Sequence, residues 1–173
     1  MEFKDILNPE TMVTHLKVKN KAEALDFMAG LFVKAGMVSD KEQYIRDVYE
    51  REAVGETGVG NHIAIPHGKS KAVVTPGVAI AILEDEIEWE SLDDTGAKII
   101  VLFAVGADEE GAKEHLKMLA LFSKCMGNDA VVGRLLKADT VEDIKNAFLS
   151  EEDESEQEFS EEAELDLDEI EIL

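Results

Sequence analysis

The sequence has few of the features that mark disulfide-bonded, secreted or membrane-spanning proteins. Its 173 residues contain one cysteine, Cys125, so an intramolecular disulfide is excluded and a reducing compartment is expected. No apolar run approaches the ~20 residues that a membrane-spanning helix needs. The opening segment, MEFKDILNPE, has neither the basic nor the apolar region of a secretory signal. These absences predict a soluble, cytoplasmic protein.

Basic residues are also scarce, and this excludes one class of partner. The chain has 17 Lys and Arg against 39 Asp and Glu, a formal net charge of −22. Residues 151–173 hold 13 of these acids and no base, which leaves 26 acids against 17 bases in the rest of the chain. Such a surface repels the phosphate backbone, so nucleic-acid binding is not expected. Apolar residues, at 45%, are abundant enough for a sizeable core.

Apolar periodicity predicts strands and helices that alternate along the chain. Strands are predicted over residues 11–18, 61–67, 77–83, 87–92 and 97–106, the fourth a short edge strand and the last a central strand buried on both faces. Helices are predicted over residues 20–36, 40–52, 109–126, 129–138 and 140–149. The predicted fold is therefore α/β, with a mixed β-sheet of about five strands covered by helices on both faces.

Three of these helices have capping signals at their first turn. Asn20 is expected to cap the first helix. Ser39 with Glu42, and Thr140 with Asp143, have the spacing of capping boxes before the second and the last helix.

The charge distribution divides the chain into a domain, residues 1–150, and an acidic C-terminal extension, residues 151–173. Most of the extension is poor in apolar residues and repels itself, so it is expected to be flexible. An alternative comes from its end, where apolar residues alternate with acids. A short segment of that kind can add to the edge of a sheet or to a partner.

The stretch GVGNHIAIPHGKS contains the candidate chemistry. Pro66 fixes its own φ at about −65° and holds Ile65 in an extended conformation, so the next side chain has a defined direction. That side chain is His67, predicted to stand where a strand ends, a common place for sites in α/β proteins. Gly68 has no Cβ, so a ligand can approach the backbone. A neutral imidazole is a good nucleophile near pH 7, which makes His67 a candidate catalytic residue.

The other histidines have structural interpretations on the sequence alone. His15 lies in the first predicted strand, His62 in the strand that leads to Pro66, and His115 at the start of the apolar part of a helix. A metal site built from His62, His67 and His115 is disfavoured, because strand alternation places the first two on opposite faces.

The longer stretch EREAVGETGVGNHIAIPHGKS resembles the active-site segment of enzyme IIA domains of the bacterial phosphotransferase system, the fructose/mannitol family. That family's pattern is an acidic or amide residue, six positions, an aliphatic and a small residue, two positions, and then aliphatic-Ala-aliphatic-Pro-His-Gly. The chain matches it in full, at Glu52, Val59, Gly60, Ile63, Ala64, Ile65, Pro66, His67 and Gly68. The similarity covers residues 3–149, and GVAIAIL, IEWESLDD, IIVLFAVG and EHLKMLALFSK resemble the fructose branch in order and spacing.

The resemblance implies roles for six side chains or backbone positions. Catalytic roles are implied for His67 as the phosphorylated nucleophile, for His115 beside it, and for Arg51. Roles in phosphoryl binding are implied for Thr57, Asn61 and Gly68. One position departs from the family, since His62 stands where a small residue is more usual; this could alter access to the site or a local pKa and leaves the catalytic set intact.

The resemblance also implies a function and partners. In this family a phosphoryl group passes from HPr to enzyme IIA, then to enzyme IIB, and finally to the incoming sugar. The chain would then be a phosphotransferase with HPr and enzyme IIB as partners, no metal or cofactor, and membrane contact only through the permease. The alternative is the nitrogen-type enzyme IIA, which binds target proteins according to its phosphorylation state. The segments GETGVGN and WESLDD favour the sugar branch.

Overall fold

The structure, a computed structural model, describes residues 2–150, so the predicted acidic extension lies outside the described residues. The strands are β1 (Met12–Leu16), β2 (Gly58–Gly60), β3 (Ile63–Ala64), β4 (His67–Ser70), β5 (Gly77–Ile87) and β6 (Ala97–Gly106). The helices are α1 (Phe3–Ile6), α2 (Lys21–Lys34), α3 (Lys41–Glu52), α4 (Glu109–Met126) and α5 (Asp129–Leu136), with a 3₁₀ turn at Pro9–Thr11 and helical backbone over residues 141–150. The division of the chain at residue 150 stays a prediction.

The strands form one mixed sheet in the order β1-β5-β6-β3-β2, with β4 also paired to β6. Strand β6 runs antiparallel to β5 and parallel to both β3 and β4. Since β3 and β4 lie end to end along the same edge of β6, the six strands occupy five positions in the sheet. The prediction of a mixed sheet of about five strands is confirmed.

Strand β6 is buried on both faces, as its continuous apolar sequence predicts. Its odd-numbered side chains, such as Phe103, pack with α1, α4, α5 and the helical residues 141–150. Its even-numbered side chains, such as Leu102, pack with α2 and α3. Helices therefore cover both faces of the sheet, and the predicted fold class is correct.

Two of the three predicted helix starts are confirmed. The Asn20 side chain accepts a hydrogen bond from the Glu23 N–H at 2.9 Å. Thr140 and Asp143 form the predicted capping box, each side chain accepting from the other's backbone N–H. The third prediction is wrong by one residue. Asp40 caps α3 by accepting from the Gln43 N–H, while the Ser39 hydroxyl donates to a backbone carbonyl.

The predicted strand over residues 61–67 is wrong at its start. Asn61 and His62 have φ values of 56° and 68°, and they form the two-residue turn of a hairpin between β2 and β3. Among tight hairpin turns, type I′ has positive φ at both turn positions, and Asn and His adopt this conformation more readily than most residues. His62 is therefore a turn residue, so the argument that strand alternation places His62 and His67 on opposite faces does not apply.

The predicted edge strand over residues 87–92 is also wrong. Strand β5 continues from the predicted 77–83 through Ile87, and Trp89 and Glu90 follow it outside any strand. Within residues 2–150 no helix is both long and apolar enough to cross a membrane.

Candidate functional site

His67 is the first residue of β4 rather than the last residue of the predicted strand, and β3 and β4 lie in line along β6. It pairs with Phe103 of β6, and Ile63 of β3 pairs with Ile99 in the same register, so the chain follows β6 without a slip across Pro66. The physical reason is that proline removes only the N–H of the ladder. The Pro66 carbonyl still accepts a hydrogen bond from the Phe103 N–H at 3.0 Å.

His115, in the second turn of α4, stacks on His67. The two ring centroids are 4.5 Å apart, with the ring planes tilted by 34°. The Phe103 ring meets the His115 ring edge to face at 5.7 Å, which places all three rings on the α4 side of the sheet. The structure thus brings together the two histidines for which the family resemblance implies catalytic roles, although they lie 48 positions apart in the chain.

Both imidazoles are held in the neutral form. Burial lowers the pKa of His67 to about 4, assisted by the charges of His115 and Arg51, while the Ile65 backbone acts in the opposite direction. Burial also lowers the pKa of His115, assisted by the charges of Arg51 and Lys69. Desolvation and nearby cations both disfavour an imidazolium. At pH 7 His67 therefore has a free nitrogen lone pair, as a nucleophile requires.

The two ring nitrogens of His67 differ in their surroundings. Its Nδ1 is buried, as is Nδ1 of His115, and neither atom makes a well-aligned hydrogen bond within residues 2–150; the Ile65 backbone is close enough to the His67 ring to oppose the effect of burial on its pKa only in part. The ring as a whole is half-buried. An incoming group can therefore meet His67 only at Nε2.

Arg51 lies in the last turn of α3 and is half-buried. Its guanidinium donates one hydrogen bond to the Gly55 carbonyl at 3.1 Å. Within residues 2–150 no carboxylate lies within ion-pair distance of it. Its charge acts on the pKa of both stacked histidines. Arg51 is thus a cation without an anionic partner, placed beside the two rings.

Thr57 is next to the site, but its hydroxyl is committed elsewhere. The residue is buried, and its Oγ1 donates to Glu52 Oε1 at 2.5 Å and accepts from Trp89 Nε1 at 3.0 Å. A hydroxyl has one proton to donate. The expectation that this hydroxyl binds the phosphoryl group therefore does not fit its observed partners.

The structure does not bring Asn61 to His67. Asn61 stands in the hairpin turn, where its backbone N–H donates to Asp93 Oδ2 at 3.0 Å. Asn61 lies two residues before Ile63, and Ile63 lies four residues before His67 along the same edge of β6. At the usual rise per residue in a strand, the backbones of Ile63 and His67 are roughly 13 Å apart.

Gly68 has a packing role that the sequence did not indicate. It is buried on the side of the sheet opposite His115, and an added Cβ would lie 2.7 Å from side-chain atoms of both Tyr44 and Val48. The missing Cβ therefore lets α3 approach the strand, and because Tyr44 and Val48 fill this side, a ligand cannot reach Gly68 from it.

The three histidines considered for a metal site lie in two places. His62 pairs with Glu86 in the hairpin region, whereas His67 and His115 stack on each other. Among residues 2–150 no group of three His, Cys, Asp or Glu side chains is arranged to hold a metal ion.

Lys69 is a neighbour of the site that the sequence analysis missed. It lies two residues after His67 on β4, so its side chain is on the same face, and its charge lowers the pKa of His115. Strand alternation was the signal that could have found it. The Trp89 contact to Thr57 joins residues far apart in sequence, and no local pattern indicates it.

Residues 5–151 match the model of the family described as phosphoenolpyruvate-dependent sugar phosphotransferase system, EIIA 2. The chain belongs to this family. It is 36% identical over 127 residues to the fructose-specific EIIA component of Haloferax volcanii, covering 72% of this chain and 81% of that protein. It is 32% identical over 144 residues, or 83% of its length, to the fructose-specific EIIABC component of Bacillus subtilis, but spans only 22% of that longer protein.

Solved structures share the fold. The nitrogen regulatory protein IIA-Ntr of Neisseria meningitidis has a TM-score of 0.75 at 20% identity, over 83% of this chain and 97% of that one. Enzyme IIA mannitol of Escherichia coli, in a complex with phosphorylated enzyme IIB mannitol, has a TM-score of 0.70 at 23% identity, over 83% and 97%. With the family membership and the EIIA relatives, the conclusion is that the chain is an EIIA-type phosphocarrier, a phosphotransferase that relays phosphate through a histidine.

Proposed function

We propose that His67 is the residue that carries the phosphoryl group, receiving it from HPr and passing it to an enzyme IIB. The observation that supports this most strongly is the stacked, neutral pair of His67 and His115 beside Arg51, a cation with no carboxylate partner within residues 2–150. Neither His15 nor His62 has such surroundings, since each is paired with a carboxylate.

In the transfer step, the Nε2 lone pair of His67 forms a new N–P bond as the N–P bond of the donor's phosphohistidine breaks. The donor imidazole leaves with the electron pair of that bond, so no metal or external base is needed. The His67 proton stays on Nδ1, on the buried side of the ring. Transfer of this kind depends mainly on positioning and on compensation of the phosphoryl charge.

Arg51 is suited to compensate that charge, because a guanidinium presents several donors in one plane and stays protonated. His115 is neutral and can donate one N–H to a phosphoryl oxygen. The onward step is the reverse reaction with a different partner: the Nε2–P bond breaks and the acceptor group of enzyme IIB forms the new bond. The expected endpoint is phosphorylation of a sugar; fructose is named for the two sequence relatives described above and mannitol for the Escherichia coli structure.

The test is phosphoryl labelling from phosphoenolpyruvate in the presence of enzyme I and HPr. We expect the wild-type protein to take up one label and His67→Ala to take up none, with the fold of both checked by circular dichroism. His62→Ala is the matched control, because it removes a histidine that lies outside the site, and it should label as the wild type does. Normal labelling of His67→Ala would refute the assignment.

A regulatory role is the second candidate, and it is favoured by the nitrogen regulatory protein of Klebsiella oxytoca, to which the chain is 28% identical over 145 residues, 83% of this chain and 88% of that protein. In that case the phosphorylation state of His67 would control binding of a target protein rather than sugar uptake. Affinity capture with phosphorylated protein and with His67→Ala distinguishes the two functions. A stable partner that is not part of a transporter and that prefers one state would favour regulation, whereas capture of enzyme IIB alone would favour the sugar relay.

A further inference from the structure

A largely buried polar network adjoins the two elements that carry the candidate site, and no member of it has a part in the transfer chemistry. The Glu52 carboxylate is its centre, with only 6% of its side chain exposed. One oxygen accepts from Lys21 Nζ at 2.5 Å and the other from the Thr57 hydroxyl at 2.5 Å. Trp89 completes the network by donating its indole N–H to Thr57, and its ring lies 4.8 Å from Lys21 Nζ.

This network connects the two elements that carry the site. Glu52 is the last residue of α3 and directly follows Arg51. The Thr57 carbonyl accepts a hydrogen bond from the Ile65 N–H at 2.9 Å, and Ile65 lies two residues before His67. Hydrogen bonds between Glu52, Thr57 and Ile65 therefore connect the end of α3, which carries Arg51, to the segment that leads into His67.

A buried carboxylate is expensive unless both of its oxygens have partners, and here both do. Burial acts to lower the pKa of Lys21, but its hydrogen bonds to Glu52 and to Glu90 outweigh burial and raise it, so the ammonium group is charged at pH 7. Because an unpaired charge in this place is costly, Glu52 has one strongly preferred position. The fixed position of Glu52 in turn fixes the last turn of α3, which contains Arg51.

We propose that Glu52 is a positioning residue for phosphoryl transfer, acting through Arg51, and that Thr57 joins it to the strand that carries His67. This rests on the roles proposed above for Arg51 and His67. The relevant geometry is demanding, because misplacement of a positioning group by about 1 Å costs roughly a hundredfold in rate. Before any phosphoryl group binds, the network holds the Arg51 guanidinium at a fixed distance from the His67 ring.

The test uses three variants of the network and one matched control. Thr57→Val removes the hydroxyl without changing the shape of the side chain, Thr57→Ser keeps the hydroxyl, and Glu52→Gln removes the charge that pairs with Lys21. Thr11→Val is the control, because Thr11 is also fully buried and its hydroxyl also makes a buried hydrogen bond, to the Val78 carbonyl at 2.8 Å, away from the site.

Three quantities are measured: the single-turnover rate of transfer from phosphorylated HPr, the melting temperature, and the pKa of His67 by NMR titration. Thr57→Val and Glu52→Gln should lower the transfer rate by roughly ten- to a hundredfold, the usual effect of losing a group that orients a reacting residue. The pKa of His67 should rise in Thr57→Val, because the Arg51 charge has moved away from the ring. Glu52→Gln is judged by its transfer rate alone, since the loss of the Glu52 negative charge itself lowers the pKa of a nearby imidazole. Thr57→Ser should restore both the rate and the pKa.

Thr11→Val should lower the melting temperature about as much as Thr57→Val does, because each removes a hydrogen-bonded buried hydroxyl, but it should leave the transfer rate and the His67 pKa unchanged. The proposal is overturned if Thr57→Val lowers the rate no more than Thr11→Val. It is equally overturned if the rate falls while the His67 pKa stays at its wild-type value. The titration needs no phosphoryl donor, so it still decides the matter if labelling shows that His67 is not the acceptor.

Discussion

Two histidine sites of this protein have opposite properties. His67 is buried against His115 beside Arg51, and its pKa is lowered to about 4. His15 is exposed between two carboxylates, with Nδ1 2.6 Å from Glu84 and Nε2 2.9 Å from Asp139. Its pKa is raised, first by the hydrogen bond to Glu84 and then by the one to Asp139.

The difference shows that surroundings, rather than residue type, decide which histidine can serve as a nucleophile. An imidazole that donates from both nitrogens has no lone pair to attack phosphorus, and that describes His15 in its protonated form. A desolvated imidazole next to a cation keeps its lone pair at neutral pH. Of the two sites, only the one at His67 combines a free nitrogen with a cation that has no anionic partner in the described part of the chain, residues 2–150.

The largest expected effect comes from removing that cation. Arg51→Ala should lower the rate of transfer to His67 by roughly a hundred- to a thousandfold, as loss of one preorganised donor does in other enzymes. It should also raise the pKa of His67, because a nearby positive charge is gone. Rapid-quench measurement of transfer and an NMR titration check the two parts.

Arg46→Ala is the matched control, since Arg46 lies on the same helix, is exposed, and bonds to Gln43 rather than to the site. It should leave both quantities unchanged. Transfer by Arg51→Ala at the rate of Arg46→Ala would show that the cation is not part of the mechanism.

His115→Ala should have a smaller effect, mainly on the second transfer. His67 keeps its nucleophilic nitrogen in this variant and should still accept phosphate. Onward transfer to enzyme IIB should slow by roughly a hundredfold, because a donor to the phosphoryl oxygens is lost. Chasing labelled protein with enzyme IIB measures this step. An unchanged chase would remove His115 from the mechanism.

The smallest expected effect is on stability, and its dependence on pH differs between the two sites. Because the pKa of His15 is raised, the ion pairs of His15 stabilise the folded state fully below about pH 6.5, and this stabilisation is lost as pH rises through the raised pKa. For His67 the unfolded state binds a proton near pH 6.5 and the folded state only near pH 4, so its contribution to stability is lost as pH falls across that range.

Thermal unfolding of His15→Gln against the wild type isolates the first contribution. The difference in melting temperature should be largest at pH 6 and should shrink as pH rises. A difference that grows with pH would contradict the raised pKa.

The elements with a strong local signal were predictable from the sequence. The bounds of β6 and α4 agree with the predictions, because continuous apolar runs and helical periodicity are properties of neighbouring residues. The hairpin was missed, since its turn at Asn61 and His62 depends on positive φ values for which the residues, neither of them glycine, are only a weak signal.

The part of the candidate site that was predictable is the part that the sequence motif and the predicted helices and strands contain. The resemblance indicated His67, His115 and Arg51, and the fold brings His67 and His115 together. The direction of the Thr57 hydroxyl was not predictable, because it depends on Glu52 and on Trp89 from a distant loop. Long-range partners of this kind have no local pattern in the sequence.

The most direct test of the central claim is to identify the phosphorylated atom. With ¹⁵N-labelled histidine, the NMR spectrum of the phosphorylated protein distinguishes the two ring nitrogens of each imidazole. Because Nδ1 of His67 is buried, the phosphoryl group should be found on Nε2 of His67 alone. A phosphoryl group on Nδ1 of His67, or on His115, would contradict the account.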